Sequence, residues 1–212
     1  MTERITSSEL DALRCRVGEL LSEKRYRHTL GVERAAVRIA TACLPDRLDE
    51  LRAAALLHDI TKEYSREEQL ALMREHIPHL SDDDYRTDAA YHSLTAPYVI
   101  ERDFPRFATT DILSAVRNHT LADEDMSLFD EIIFISDFVE DGRNYTVCRE
   151  LGDRLFAELR VARSRDEAIL ALHRATLDCI DFTVKFVLER GYHLHSSTAS
   201  ARDSILARIK EK

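Results

Sequence analysis

A serine or threonine stands three residues ahead of an acidic residue, close to a run of helical period, at Thr6 and Glu9, Ser65 and Glu68, Ser127 and Asp130, and Ser164 and Glu167. At that spacing the hydroxyl oxygen can accept from a backbone N–H that the first turn of a helix leaves without a partner, while the carboxylate reaches back to the cap amide. Each pair therefore predicts a helix start. After Thr6 the residues Leu10, Leu13, Val17, Leu20 and Leu21 fall at helical spacing, three or four apart along most of the stretch. The longest helix is expected from about Asp166 to Arg190, turning Ile169, Leu172, Leu177, Ile180, Val184 and Val187 inward, with Gly191 as its left-handed terminator. Gly142 is expected to end the helix that Ser127 begins. Further helices are expected near 25–42, 48–61, 98–103, 110–119, 146–162 and 199–210, with loops at Pro45, Pro78, Pro105 and 121–126. No segment sustains the alternation of a strand, and only five glycines and four prolines are available for tight turns. The expected fold class is all-α.

The 212 residues, 44% of them hydrophobic, suffice for one sizeable core, and no repeat, low-complexity tract or Gly/Ser linker divides them. Lysine and arginine number 30 against 39 acidic residues, a formal charge of −9, which opposes a broad grip on nucleic acid. Any phosphate must be met locally. Cys15, Cys43, Cys148 and Cys179 lie far apart and form no C-x-x-C pair, which fits reduced thiols in a cytosolic protein. No apolar run approaches 18 residues, and the opening MTERITSSEL is charged where a leader would be apolar. A soluble, unprocessed, cytoplasmic chain with no membrane contact is expected.

The segment Leu56-Leu57-His58-Asp59-Ile60-Thr61-Lys62 ends an apolar helix in two adjacent metal-competent groups. On a continuing helix, neighbours diverge by about 100°, so His58 and Asp59 could approach one cation from two sides or two cations from one helix. Lys62 would lie one turn above His58, where an ammonium suits a phosphate. His28, three residues after Arg25, His92, His119 and Asp137 offer further ligands from other expected segments. Imidazole nitrogen and carboxylate oxygen together suit divalent iron, manganese, cobalt or zinc. Without a nearby thiolate the set reads as catalytic rather than structural.

The H…HD…H…H…D order resembles the HD superfamily, and within it the YqeK-type symmetrical bis(5'-nucleosyl)-tetraphosphatases. The segments that carry the resemblance are Arg25–Val32, Ala54–Asp59 with Lys62, Ala115–Thr120, Met126–Leu128 and Ile132–Arg143. Gly191–His195, followed by Thr198 and Ala201-Arg202, is similar too. The likeness implies one HD domain over 1–212, with a metal-binding core over about 20–145 and a helical extension over about 146–212. It also implies an iron-containing site and hydrolysis of a dinucleoside tetraphosphate at its centre. The expected metal ligands are His28, His58, Asp59, His92, His119 and Asp137, with Asp59 bridging a two-metal centre. Lys62 joins Asp59 as a catalytic residue, and Arg25, Lys62 and Arg143 are expected on the substrate phosphates. No Ser-His-Asp or Cys-His arrangement stands out, so the nucleophile is expected to be water activated by the metal. After His92 the sequence departs from the family's small, glycine-rich turn with Ser93-Leu94-Thr95-Ala96-Pro97, where Pro97 predicts a helix that begins near Ala96 or kinks.

His76, His79 and His173 have no partner pattern and are expected at solvent or helix ends. His193 and His195 fit a packed C-terminal turn. Arg143 has a second reading as a cation at a helix C-terminus. Glu140, one turn beyond Asp137, is expected to support it. Three alternative readings stand beside the first: another HD phosphohydrolase acting on nucleotides, a nucleotide-sensing module without turnover, and a purely helical scaffold. Whether two chains pair as a homodimer leaves no legible pattern.

Overall fold

The computed structural model describes residues 4–211. Among them it contains α1 (Ser7–Leu20), α2 (Glu23–Cys43), α3 (Leu48–Leu57), α4 (Arg66–His76), α5 (Asp82–Arg86) and α6 (Tyr91–Asp103). The rest are α7 (Thr110–Asn118), α8 (Leu128–Val139), α9 (Thr146–Val161), α10 (Arg165–Glu189) and α11 (Ser196–Lys210). No strand occurs among the described residues. Met1 to Glu3, at the start of the charged opening stretch, lie outside them.

Thr6, Ser65 and Ser127 form complete capping boxes. Ser164 accepts from the Glu167 amide, but the Glu167 carboxylate takes the Arg163 N–H instead, at 2.7 Å. A further box, Ser81 with Asp84, opens the five-residue α5, which lies outside the expected helices. The long α2 lies at the centre, against α3, α8 and α10, while α6 and α7 pair beside α4 and α8, and α9 and α11 flank α10. Val32, Ala36 and Ile39 of α2 meet Leu56, Leu57, Ile132, Ile133, Leu172 and Ile180 in one fully buried core. No helix is long and apolar enough to cross a membrane among the described residues, and all four cysteines are free thiols.

Several local expectations need correction. Helix α3 stops at Leu57, and residues 58–63 fold as tight turns, with Ile60, Lys62 and Tyr64 donating to carbonyls three residues back. Helix α6 begins at Tyr91 and carries Pro97 inside it. Proline removes one ladder bond there, but Tyr91 to Ala96 are all buried, and that packing outweighs the local preference. Gly142 is not a left-handed cap, because α8 ends at Val139 and among the described glycines positive φ occurs at Gly191, at 66°. On α10 the most buried stripe includes the small Ala168, Ala171, Ala175 and Cys179, which allow close approach of neighbouring helices. Ile169, Leu177 and Val184 pack only half-buried at its margin. His173 is no surface residue. Its Nδ1 lies 2.9 Å from Glu131 Oε2, and Glu131, wholly buried, also accepts from Thr176 and from Arg208, tying α8, α10 and α11 together.

Candidate metal centre

Two helix ends aim the central histidines. His58 follows the last residue of α3 and His119 follows the last residue of α7, where backbone carbonyls lack intrahelical donors. Each ring uses one of them: His58 Nδ1 lies 2.6 Å from the Ala55 carbonyl and His119 Nδ1 lies 2.6 Å from the Val116 carbonyl. With Nδ1 donating, each Nε2 keeps its lone pair and points inward. The His58 side chain is 0% exposed, and its Nε2 has no hydrogen-bond partner.

His28 projects from α2, with Nε2 2.9 Å from Asp137 Oδ1 on the last turn of α8 but off hydrogen-bond geometry. Asp59, on the turn after α3, divides the group between its two oxygens. Oδ2 lies 3.4 Å from His58 Nε2 and 3.6 Å from His28 Nε2, while Oδ1 lies 3.3 Å from His92 Nε2 and 3.8 Å from His119 Nε2. His92 enters from the first turn of α6, its Nε2 3.0 Å from His119 Nε2. Thr61 holds that turn in place by donating to the His92 carbonyl at 2.9 Å. All six expected ligands thus meet in one place, from α2, α6, α8 and the turns after α3 and α7. Two overlapping triads, His28 with His58 and Asp137, and His58 with Asp59 and His119, each bring their ligand atoms within 4.8 Å of one another.

The electrostatics suit a cation. Burial alone would raise the Asp59 pKa, but His58, His119 and His92 outweigh it and hold the carboxyl well below its usual range. Asp137 is likewise lowered against burial by Arg143, His28 and His58. Burial, with His119 and Lys62 nearby, keeps His92 neutral by pushing its pKa far down. On His28 burial acts downward too, yet the Asp137 and Glu140 carboxylates raise its pKa to about 9. A neutral His92 imidazole, two ionised carboxylates and a buried His58 nitrogen without a partner fit a divalent metal.

The three expected phosphate groups all touch this cluster. Arg25 donates to Asp59 Oδ2 at 2.7 Å. Arg143 pairs with the Asp137 carboxylate and donates from Nε to the Asp137 carbonyl at 2.8 Å, so it also neutralises the end of α8. Lys62 does not ride one turn above His58 on a helix, as expected; the turn carries its Nζ to within 3.1 Å of His92 Nδ1. Two contacts went unforeseen. Thr120 Oγ1 lies 3.1 Å from His92 Nε2, and Glu140 bonds His28 rather than Asp137. A Glu one turn past a ligand signals proximity in sequence, but not which ligand it meets.

A cavity of about 1100 Å³ opens on the His28 side, lined among others by Arg25, Arg34, Arg143, Asn144 and Tyr145. A smaller one of about 310 Å³ lies on the other side, lined by Lys62, Arg66, Gln69, Asp88, Ala89, Tyr91 and His92. His193 and His195 stand apart from both, paired with Asp83 and with Ser197 and Asp84.

Helices and the turns that end them present histidine and aspartate in the order of a phosphohydrolase scaffold, and the HD domain model matches residues 25–141, more than half of the chain. The chain belongs to the HD domain family. It is 27% identical over 190 residues to the symmetrical bis(5'-nucleosyl)-tetraphosphatase of Halalkalibacterium halodurans, covering 90% of this chain and 93% of that one. It is 28% identical over 190 residues to the protein of the same name from Bacillus subtilis, covering 89% and 92%. Its fold is similar, with a TM-score of 0.79 and 30% identity over 97% of this chain and 100% of the other, to a crystal structure from Clostridium acetobutylicum described as a predicted HD superfamily hydrolase involved in NAD metabolism.

Proposed function

We propose that this chain is a metal-dependent hydrolase that cuts a dinucleoside tetraphosphate between its two central phosphates, releasing two nucleoside diphosphates. The observation that carries the reading is that relatives named for this activity match over about nine tenths of both chains. The geometry is consistent with it: a six-residue cluster lies between a cavity on the His28 side and another on the His92 side. Both flanks of a long phosphate chain then have somewhere to go.

His28, His58, Asp59, His92, His119 and Asp137 would hold the metal, and in a two-metal centre Asp59 would be the residue shared between the ions. We assign iron, with manganese, cobalt and zinc as the other ions this donor set accepts. When bound, the metal supplies positive charge to phosphate oxygens and an activated water. Arg25, Arg143 and Lys62 orient and neutralise the central phosphates, their cationic groups already lying against the ligands. All six proposed ligands and the three basic groups come from this one chain. The catalytic core is assigned to about 20–145, with 146–212 as an extension packed onto it, and four free thiols suit the cytoplasm.

The rival reading, an HD phosphohydrolase of smaller nucleotides, draws on the unusual Ser93 to Pro97. Ser93 and Thr95 are buried and donate to carbonyls of Ala90 and Tyr91, and none of the five residues lines either cavity. The departure sits in the packing rather than at the substrate. A panel of diadenosine tetraphosphate, ATP, AMP and a cyclic nucleotide tests the assignment. Diadenosine tetraphosphate should lead in kcat/KM by at least about tenfold. A mononucleotide ahead by that margin would transfer the assignment to the rival.

A further inference from the structure

We propose that Glu140 is a positioning residue that sets the ring of His28 for metal binding, lodged in a slot that Gly31 and Gly142 keep open; the inference rests on the reading of His28 as a ligand. His58 and His119 each fix their rings on a free carbonyl at the end of their own helix. His28 cannot do the same. It is the sixth residue of the 21-residue α2, where carbonyls are engaged in the helical ladder, so its Nδ1 needs an acceptor from elsewhere. Glu140 supplies one, its Oε1 3.1 Å from Nδ1. With Nδ1 turned to Glu140, Nε2 is left on the Asp137 side as the nitrogen that would bind a metal in exchange for its proton, and a carboxylate makes that nitrogen a stronger donor to metal than a carbonyl would.

The surroundings are shaped for this carboxylate. Glu140 is 4% exposed, its Oε2 accepts the Gly142 N–H at 2.6 Å, and its carbonyl accepts the Arg143 N–H at 3.1 Å. A Cβ on Gly31, one turn beyond His28, would sit 2.2 Å from Glu140 Oε2, and one on Gly142 would sit 2.9 Å from it. Neither glycine has positive φ, so clearance for the carboxylate, rather than backbone conformation, accounts for a residue that weakens the interior of α2. Glu140 therefore joins the His28 ring to the loop that carries Arg143.

The test is cobalt titration of the metal-free full-length protein, followed by visible absorption, for wild type, E140A, E140Q and G31A. E140A should weaken cobalt binding about 10- to 100-fold and change the absorption band. G31A should shift both in the same direction although Glu140 is still present, because its methyl group displaces the carboxylate. E140Q should lose less, since an amide oxygen still accepts from Nδ1–H. If E140A fails to fold, E140Q and G31A decide the matter. Wild-type affinity and spectrum in the folded variants would overturn the proposal. Failure of wild type to bind cobalt would instead count against His28 as a ligand.

Discussion

Asp59→Ala is expected to purify with less than about a tenth of an equivalent of metal and to lose more than about a hundredfold in turnover, beyond the cost of losing an outer-shell partner. Its two oxygens lie between four histidines, and Arg25 donates to one of them. Removing the carboxylate leaves those imidazoles without their shared anion and removes the group proposed to bridge two ions. Asp59→Asn keeps the shape and lowers the charge, so parallel loss of metal in both variants separates coordination from misfolding. Metal analysis with steady-state kinetics reads the result. Near wild-type turnover in Asp59→Ala would contradict the mechanism.

Lys62→Ala is expected to behave differently. Its ammonium meets His92 Nδ1 and the Ala89 carbonyl, and burial lowers its pKa despite the attraction of Asp59 and Asp137. If it serves the phosphates, kcat/KM should fall about 10²- to 10³-fold, as when a charge-stabilising donor is deleted, while metal content stays near wild type. Loss of metal in this variant would show that Lys62 instead maintains the pose of His92.

What could be read from the sequence follows the range of the forces involved. Helix starts were legible because Thr6, Ser65 and Ser127 meet their acidic partners within one turn, and that contact survives folding unchanged. Helix ends were less so. The stop at Leu57 and the start at Tyr91 depend on packing around the cluster, against which local preference, even that of Pro97, is weak. His173 went unrecognised because its partner Glu131 lies 42 residues away on another helix. The six proposed ligands could be named from the order of a family motif, but no spacing predicts that Asp59 turns one oxygen to His28 and the other to His92. Gly31 carries no local signal and Gly142 suggests only a helix end, whereas the slot they share depends on Glu140, distant from Gly31 in sequence.

The central claim is the position of the cut, and the early products of diadenosine tetraphosphate hydrolysis test it most directly. With Arg25, Arg143 and Lys62 around the cluster, the proposed site would hold the middle phosphates nearest the metal-binding groups, and water would attack one of them with a nucleoside diphosphate as leaving group. Chromatography at low conversion should find ADP alone, two molecules for each substrate consumed. ATP and AMP in equal amounts, without ADP, would contradict the account.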